Sequence, residues 1–345
     1  MYMKKLLGST LIELQDICSS LQMPKFRAKQ IASWLYEKRV HTIDEMTNLS
    51  LADRENLKNK YVVGLEEPIK FVKSVDGTIK YLYEVDSLYQ VESVYIPDKE
   101  RATLCISSQV GCKMNCHFCM TGKQGFSKNL TSGEIINQIL ALPEFEQLTN
   151  VVLMGMGEPL DNVDEVLKAL SIMTSPWGLA WSPKRITLST IGVKPKLERF
   201  LNESDCHLAV SLHAPVSSQR LKIMPVEKAY PIADVVDMLK DYDFSKQRRV
   251  TFEYILFKGF NDSKRDADSL IALLDGLPCR VNLIRFHAIP EVNLEGTAME
   301  DMIKFRDYLT AKGLHTTIRA SRGEDIFAAC GMLSTLEKKD KTFTD

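Results

Sequence analysis

The chain has 345 residues, enough for one large domain or two with a substantial core. Its 45% hydrophobic and 26% charged residues are those of an ordinary globular protein, and no run approaches the roughly 20 apolar residues that cross a bilayer. Forty-four Lys and Arg stand against 45 Asp and Glu, a formal net charge of -1, so any nucleic-acid contact has to come from local basic patches.

The first residues, Met1 to Gly8, hold no apolar core long enough for a signal peptide. Short helices are expected over Leu11–Cys18, Lys25–Arg39 and Leu51–Tyr61. In the second, Phe26, Ile31, Trp34 and Leu35 share one side, leaving Lys25, Arg27, Lys29 and Lys38 to face outward. Period-2 patterning in Ile79–Val85 and Gln90–Ile96, with a turn at Asp86-Ser87, predicts a β-hairpin. From about residue 100 the pattern alternates. Apolar, β-branched runs occur at Ala102–Ser107, Val151–Met156, Ile186–Ile191, His207–His213, Val250–Phe257 and Val281–His287, with a last strand at Thr316–Arg319. Amphipathic stretches such as Glu134–Leu142, Val163–Met173, Ile232–Leu239, Ala267–Leu274 and Met299–Thr310 separate them. Strand–helix repetition of this kind predicts a parallel α/β architecture, here a complete or partial (β/α)6 barrel. The expected organisation is an N-terminal helical domain over 1–75, a linking hairpin over 76–98, the barrel over 99–335 and a frayed tail over 336–345.

Eight cysteines in a chain without an export signal read as reduced, cytoplasmic thiols. Three of them, Cys112, Cys116 and Cys119, fall in one run with spacing Cys-x3-Cys-x2-Cys. Structural zinc takes four closed ligands, and no second Cys-x2-Cys pair exists in the chain, although a zinc knuckle completed by Cys105 or His117 remains open. The other reading is an iron–sulfur cluster with one iron left open for a ligand that is not protein.

With Phe118 before the last cysteine, the run resembles the radical S-adenosylmethionine (SAM) superfamily, and Gly155-Met156-Gly157-Glu158-Pro159 resembles its glycine-rich turn after the second strand. Further motifs narrow the resemblance to the RNA adenine methyltransferase family RlmN/Cfr: Phe26–Ile31, Leu104–Cys112, Leu188–Gly192, Val210–Pro215 and Ala328–Gly331, in order along the whole chain. Pro159 is similar to the carbon-2 branch of that family, where carbon-8 enzymes tend to have Ala.

The resemblance implies methylation of carbon 2 of an adenosine in 23S rRNA and of the adenosine 3′ to the tRNA anticodon, in a cytoplasmic monomer without a membrane partner. It implies a [4Fe-4S] cluster on Cys112, Cys116 and Cys119, two SAM molecules per turnover and an electron donor such as a flavodoxin system. By the same resemblance Cys330 carries the methyl, Cys105 resolves the protein–RNA adduct through a transient disulfide, and Glu92 accepts a proton. Gly157, Glu158, Ser189, Ser211, Leu212, His213 and His287 are the implied SAM contacts, His287 standing where better-known members have Asn. Cys18, Cys206 and Cys279 match no functional position and read as core thiols. RNA contacts are expected from Lys25, Arg27, Lys29, Lys38 and Arg39, and from Arg319 and Arg322 near the reactive thiol. A carbon-8 methyltransferase, another radical SAM chemistry and a zinc-bearing RNA-binding module are the alternatives.

Overall fold

The computed structural model describes residues 3–244, 250–290 and 292–335, so the expected tail from 336 lies outside the described residues. The N-terminal domain begins with β1 (Lys4–Lys5), which pairs in parallel with β2 (Tyr61–Val62) and closes the domain around three helices. These are α1 (Leu11–Ser20), α2 (Arg27–Ala32) and α3 (Leu51–Lys58). Thr10 and Glu13 cap α1 reciprocally, each satisfying an amide the helix start leaves open. Three expectations need adjusting here. The second helix turns into a π-helical stretch at Ser33–Glu37 and ends there, and α3 stops at Lys58 because Tyr61 enters β2. Phe26 does not join the apolar side: it is 59% exposed, under the Arg27 guanidinium.

A single ten-stranded sheet forms the rest of the frame. Its antiparallel part is β3 (Lys70–Lys73), β4 (Ile79–Val85), β5 (Tyr89–Asp98) and β6 (Arg101–Cys105). Asp86 and Ser87 take positive φ at the β4–β5 turn, as a tight hairpin demands. The hairpin extends the barrel's sheet, since β5 pairs with β6, the first barrel strand. Next come β7 (Gln109–Gly111), α4 (Met120–Gln124) and β8 (Phe126–Asn129), a small two-stranded excursion that carries the cysteine run.

The barrel continues through α5 (Ser132–Leu140), β9 (Asn150–Leu153), α6 (Val163–Thr174), β10 (Ile186–Thr190), α7 (Lys194–Glu203), β11 (His207–Ser211), α8 (Ser217–Ile223) and α9 (Ile232–Lys240). It finishes with β12 (Val250–Leu256), α10 (Lys264–Leu274), β13 (Cys279–Arg285), α11 (Met299–Ala311) and β14 (Thr316–Arg319). Strands β6 and β9 to β14 are parallel and adjacent in chain order. The helices α7 and α8 add to the amphipathic stretches expected from sequence.

The sheet order runs from β14 to β3 without β14 meeting β6, so the barrel is the partial form. Helices cover it with stripes such as Ile232, Val235, Val236 and Leu239 of α9, spaced to share one helix face. The N-terminal domain sits on α5 and α6: Gly8 lies so close to Gly133 that a Cβ there would come within 2.2 Å of the Gly133 nitrogen, and Lys168 pairs with Glu13 at 2.6 Å. No helix among the described residues is long and apolar enough to cross a membrane.

Candidate active site

The C-terminal ends of the parallel strands open onto a cavity of about 150 Å³. Cys112, Cys116 and Cys119 line one side of it and the Gly155–Pro159 turn another. Backbone hydrogen bonds set the cysteine loop: Cys112 N–H donates to the Gly125 carbonyl (2.9 Å), His117 N–H to Ile223 (2.9 Å) and Met120 N–H to Gly331 (2.7 Å). Gly157 has φ +101°, and a Cβ there would lie 2.5 Å from the Gln109 Cβ, so only glycine fits the turn against β7.

The three thiols suit a cluster better than a single ion. None is in a disulfide. Burial pushes the Cys112 thiol up to about 12 and Cys116 well above its usual range, and the nearby thiols push in the same direction. Thiols so placed ionise only beside a strong positive charge. Among the described residues no three His, Cys, Asp or Glu groups stand close enough to share one metal ion. Neither supplement considered for zinc, Cys105 or His117, forms such a group with two of the three cysteines. A four-iron cluster is larger than an ion and takes thiolates spaced more widely.

Glu158 is buried, and its carboxylate is wholly engaged by the protein. It accepts from Leu160 N (3.1 Å), Thr190 Oγ1 (2.6 Å) and Ile191 N (3.0 Å), which ties the ends of β9 and β10 together. Burial still raises it to about 7. His213 adopts φ +57°, accepts from Ile255 N at Nδ1 (3.0 Å) and packs edge-on to Phe118. Burial, aided by the positive Arg220, lowers it to about 3 and keeps the ring neutral. Arg220 has no solvent exposure, pairs with buried Glu227 and donates to the carbonyls of Ile191, Ser211 and Leu212. The strand ends facing the cavity are thus braced from behind.

A second chamber of about 390 Å³ shares a wall with the first. It holds Cys105, at the end of β6, and Cys330, with Arg319, Arg322 and His287. Cys330 and Arg319 line both cavities. Cys330 is exposed, whereas burial and then the neighbouring Cys330 push the Cys105 thiol up to about 12, with Arg319 pulling the other way.

The cavity that holds the three cysteines also holds Gly157, Glu158, Ser189, Ser211 and His213. Two other expected SAM contacts lie elsewhere. Leu212 is buried behind the wall, its carbonyl taken by Arg220. His287 lines the second chamber instead, with Nε2 2.9 Å from Ser321 Oγ and Nδ1 3.1 Å from the Glu324 carboxylate. Glu92 lines neither cavity: it is buried, 2.8 Å from Lys80 Nζ, and accepts from Ser334 N at 3.0 Å.

On the N-terminal domain Lys25, Lys29 and Lys38 are exposed. Arg27 turns inward to Asp53 and the Asn48 carbonyl, and Arg39 reaches across to Glu146 (2.8 Å). Sequence reading missed Glu253 of β12, which projects into the first cavity. Its signal is a lone carboxylate in the middle of an apolar strand of a parallel sheet.

Comparison with known proteins places these features. Residues 106–270 match the radical SAM superfamily, and residues 4–63 match the N-terminal domain of ribosomal RNA large subunit methyltransferases. A "probable dual-specificity RNA methyltransferase RlmN" from Bacteroides thetaiotaomicron is 67% identical over 97% of both chains. The "dual-specificity RNA methyltransferase RlmN" of Campylobacter curvus is 44% identical, over 96% of this chain and 93% of its own. The crystal structure of a radical SAM methyltransferase from Sphaerobacter thermophilus superimposes with a TM-score of 0.90 at 37% identity, covering 96% of this chain and 99% of that one.

Proposed function

Because the chain belongs to the RlmN family of radical SAM RNA methyltransferases, we propose that it methylates carbon 2 of an adenosine in 23S rRNA and of the adenosine 3′ to the tRNA anticodon. The observation that carries the reading is the position of Cys330, in the wall common to the three-cysteine cavity and the Cys105 chamber.

Carbon 2 of adenine is an electron-poor amidine carbon that cannot attack a sulfonium, so the methyl is first taken by a better nucleophile. Cys330 is that group: its thiolate bonds to the methyl of one SAM as the sulfonium–methyl bond breaks, releasing S-adenosylhomocysteine. A cluster held by Cys112, Cys116 and Cys119 supplies, with a second SAM and an electron from a flavodoxin-type donor, a carbon radical able to take hydrogen from an S-methyl group. The remaining work falls to the chain. Cys330 presents its sulfur-bound carbon to the base. Cys105 attacks the Cys330 sulfur, so that an S–S bond forms as the bond between that sulfur and the transferred carbon breaks; the Cys105 proton completes the methyl group, the one electron left over passes to an external acceptor, and an external thiol reduces the disulfide. Glu92 takes the proton from carbon 2, a role supported by the 3.0 Å contact of its carboxylate with Ser334 in the Cys330 loop.

The holoenzyme carrying Cys330→Ala is expected to form 5′-deoxyadenosine from SAM under reduction and to leave RNA unmethylated. Methylated adenosine from that variant would overturn the two-stage scheme. Mass spectrometry of adenosines from matched deletion and wild-type cells separates carbon 2 from carbon 8, and ribosomal from tRNA targets.

A further inference from the structure

We propose that Glu253, with Ser211 beside it, grips the ribose hydroxyls of bound SAM. This rests on the reading of the first cavity as the SAM site.

Two buried carboxylates face that cavity, and they differ in what the protein offers them. Glu158 receives donors on both oxygens from Leu160, Thr190 and Ile191. Glu253 is 4% exposed and receives one donor, Asn282 Nδ2 at 3.0 Å to Oε1. Its Oε2 is buried without any hydrogen-bond donor, the nearest Arg319 nitrogen lying 3.7 Å away. An orphaned carboxylate oxygen costs more than a neutral acceptor would, and a ligand that brings donors removes that cost. Thr317 Oγ1 donates to Asn282 Oδ1 (2.7 Å), so the carboxylate is held in place by a relay from two neighbouring strands before any ligand arrives.

The shape of the site selects the donor. Ser211 of β11 is the register partner of Glu253 on β12, and both side chains enter the same cavity. A hydroxyl beside an open carboxylate oxygen complements a vicinal diol, which donates to the carboxylate and accepts from the serine. Acidic residues hold ribose hydroxyls in dinucleotide-binding folds by the same chemistry.

The test uses the cluster-loaded enzyme and equilibrium binding of S-adenosylhomocysteine with its 2′-deoxy and 3′-deoxy counterparts. Wild type should bind at least one deoxy ligand about tenfold or more weakly than the parent, as loss of a hydrogen bond to a charged group predicts. Glu253→Gln should weaken the parent ligand by a similar factor and flatten its advantage over the deoxy forms. Equal binding of all three ligands by wild type overturns the proposal, as does a Glu253→Gln enzyme that keeps the full discrimination. Should that variant fail to fold, the wild-type series and Ser211→Ala, which should narrow the same ratio, decide it. Wild type that binds none of the three sinks the SAM-site reading itself, an outcome distinct from binding without preference for the diol.

Discussion

The two loops that carry the reactive cysteines meet at one wall but are held by different means. The Cys112–Cys119 loop is tied by its own backbone to Gly125, Ile223 and Gly331, and the strand ends around it are braced by the fully buried Arg220–Glu227 pair. The loop of Cys330 is held mostly by side chains from distant parts of the chain. Asp325 takes Ser74 Oγ (2.6 Å) and Val75 N (3.2 Å), and Asp76 takes Gly323 N (2.9 Å). Thr121 donates to the Leu333 carbonyl, Gln124 accepts from Thr335 N, and Glu92 accepts from Ser334 N. Backbone ties suit a loop whose thiols, in the proposed scheme, keep one duty. Side-chain clamps suit a loop whose thiol, in the proposed scheme, changes its covalent partner at each stage, because each clamp can open without unravelling secondary structure.

The contrast can be broken most forcefully on its rigid side. Glu227→Ala leaves Arg220 charged and unpaired with no solvent exposure, and should cost about 3–5 kcal/mol in denaturant unfolding; a loss below about 1 kcal/mol would show that the brace is dispensable. On the clamped side, Asp76→Ala should speed amide exchange around Gly323 by about tenfold while leaving the Cys112–Cys119 amides unchanged. Equal acceleration in both loops would erase the distinction. Acid offers a second handle on the same clamp. Burial would raise Asp76, but amide donors from Gly323 and Thr78 override it and hold the carboxyl at about 2. A depressed carboxyl stabilises above its unfolded value of about 3.9 and loses that contribution as pH falls through its folded value. Gly323 protection should therefore hold from pH 8 to 5 and fall away between about pH 4 and 2. The smallest effect is expected from Arg322→Ala: its contact with Asp98 (3.2 Å) joins two partly exposed groups and should be worth less than about 1 kcal/mol in the same unfolding assay.

Much of the frame is legible in the chain itself. The seven parallel strands announce themselves as β-branched runs, because strands buried on both faces have little use for polar residues. Strand β3 escapes because Lys70-Phe71-Val72-Lys73 is short and Phe71 is 61% exposed. The gathering of Cys112, Cys116 and Cys119 is local in sequence and easily anticipated. The clamps on the Cys330 loop are not, since Ser74 and Asp325 lie 251 residues apart and neither belongs to a pattern. His287 shows the limit of strand prediction: expected to close its strand, it lies two residues past β13, and its side chain goes to Ser321 and Glu324 in the wall of the neighbouring chamber. Glu253 shows the opposite lapse, a mid-strand charge that carries meaning only once its strand is known to be interior.

The ten-stranded sheet ends in β3 on one side and β14 on the other, each four residues long. Lys70 and Lys73 bracket the first, and Arg319 closes the second. Unpaired strand edges are templates on which a neighbouring chain can add, and the hazard grows with their length and falls with the charge they carry. A sheet this wide would be prone to fibre-like stacking if it ended on long apolar strands. Ending on two strands of four residues, one of them flanked by lysines, it offers a newly made second copy little to build upon.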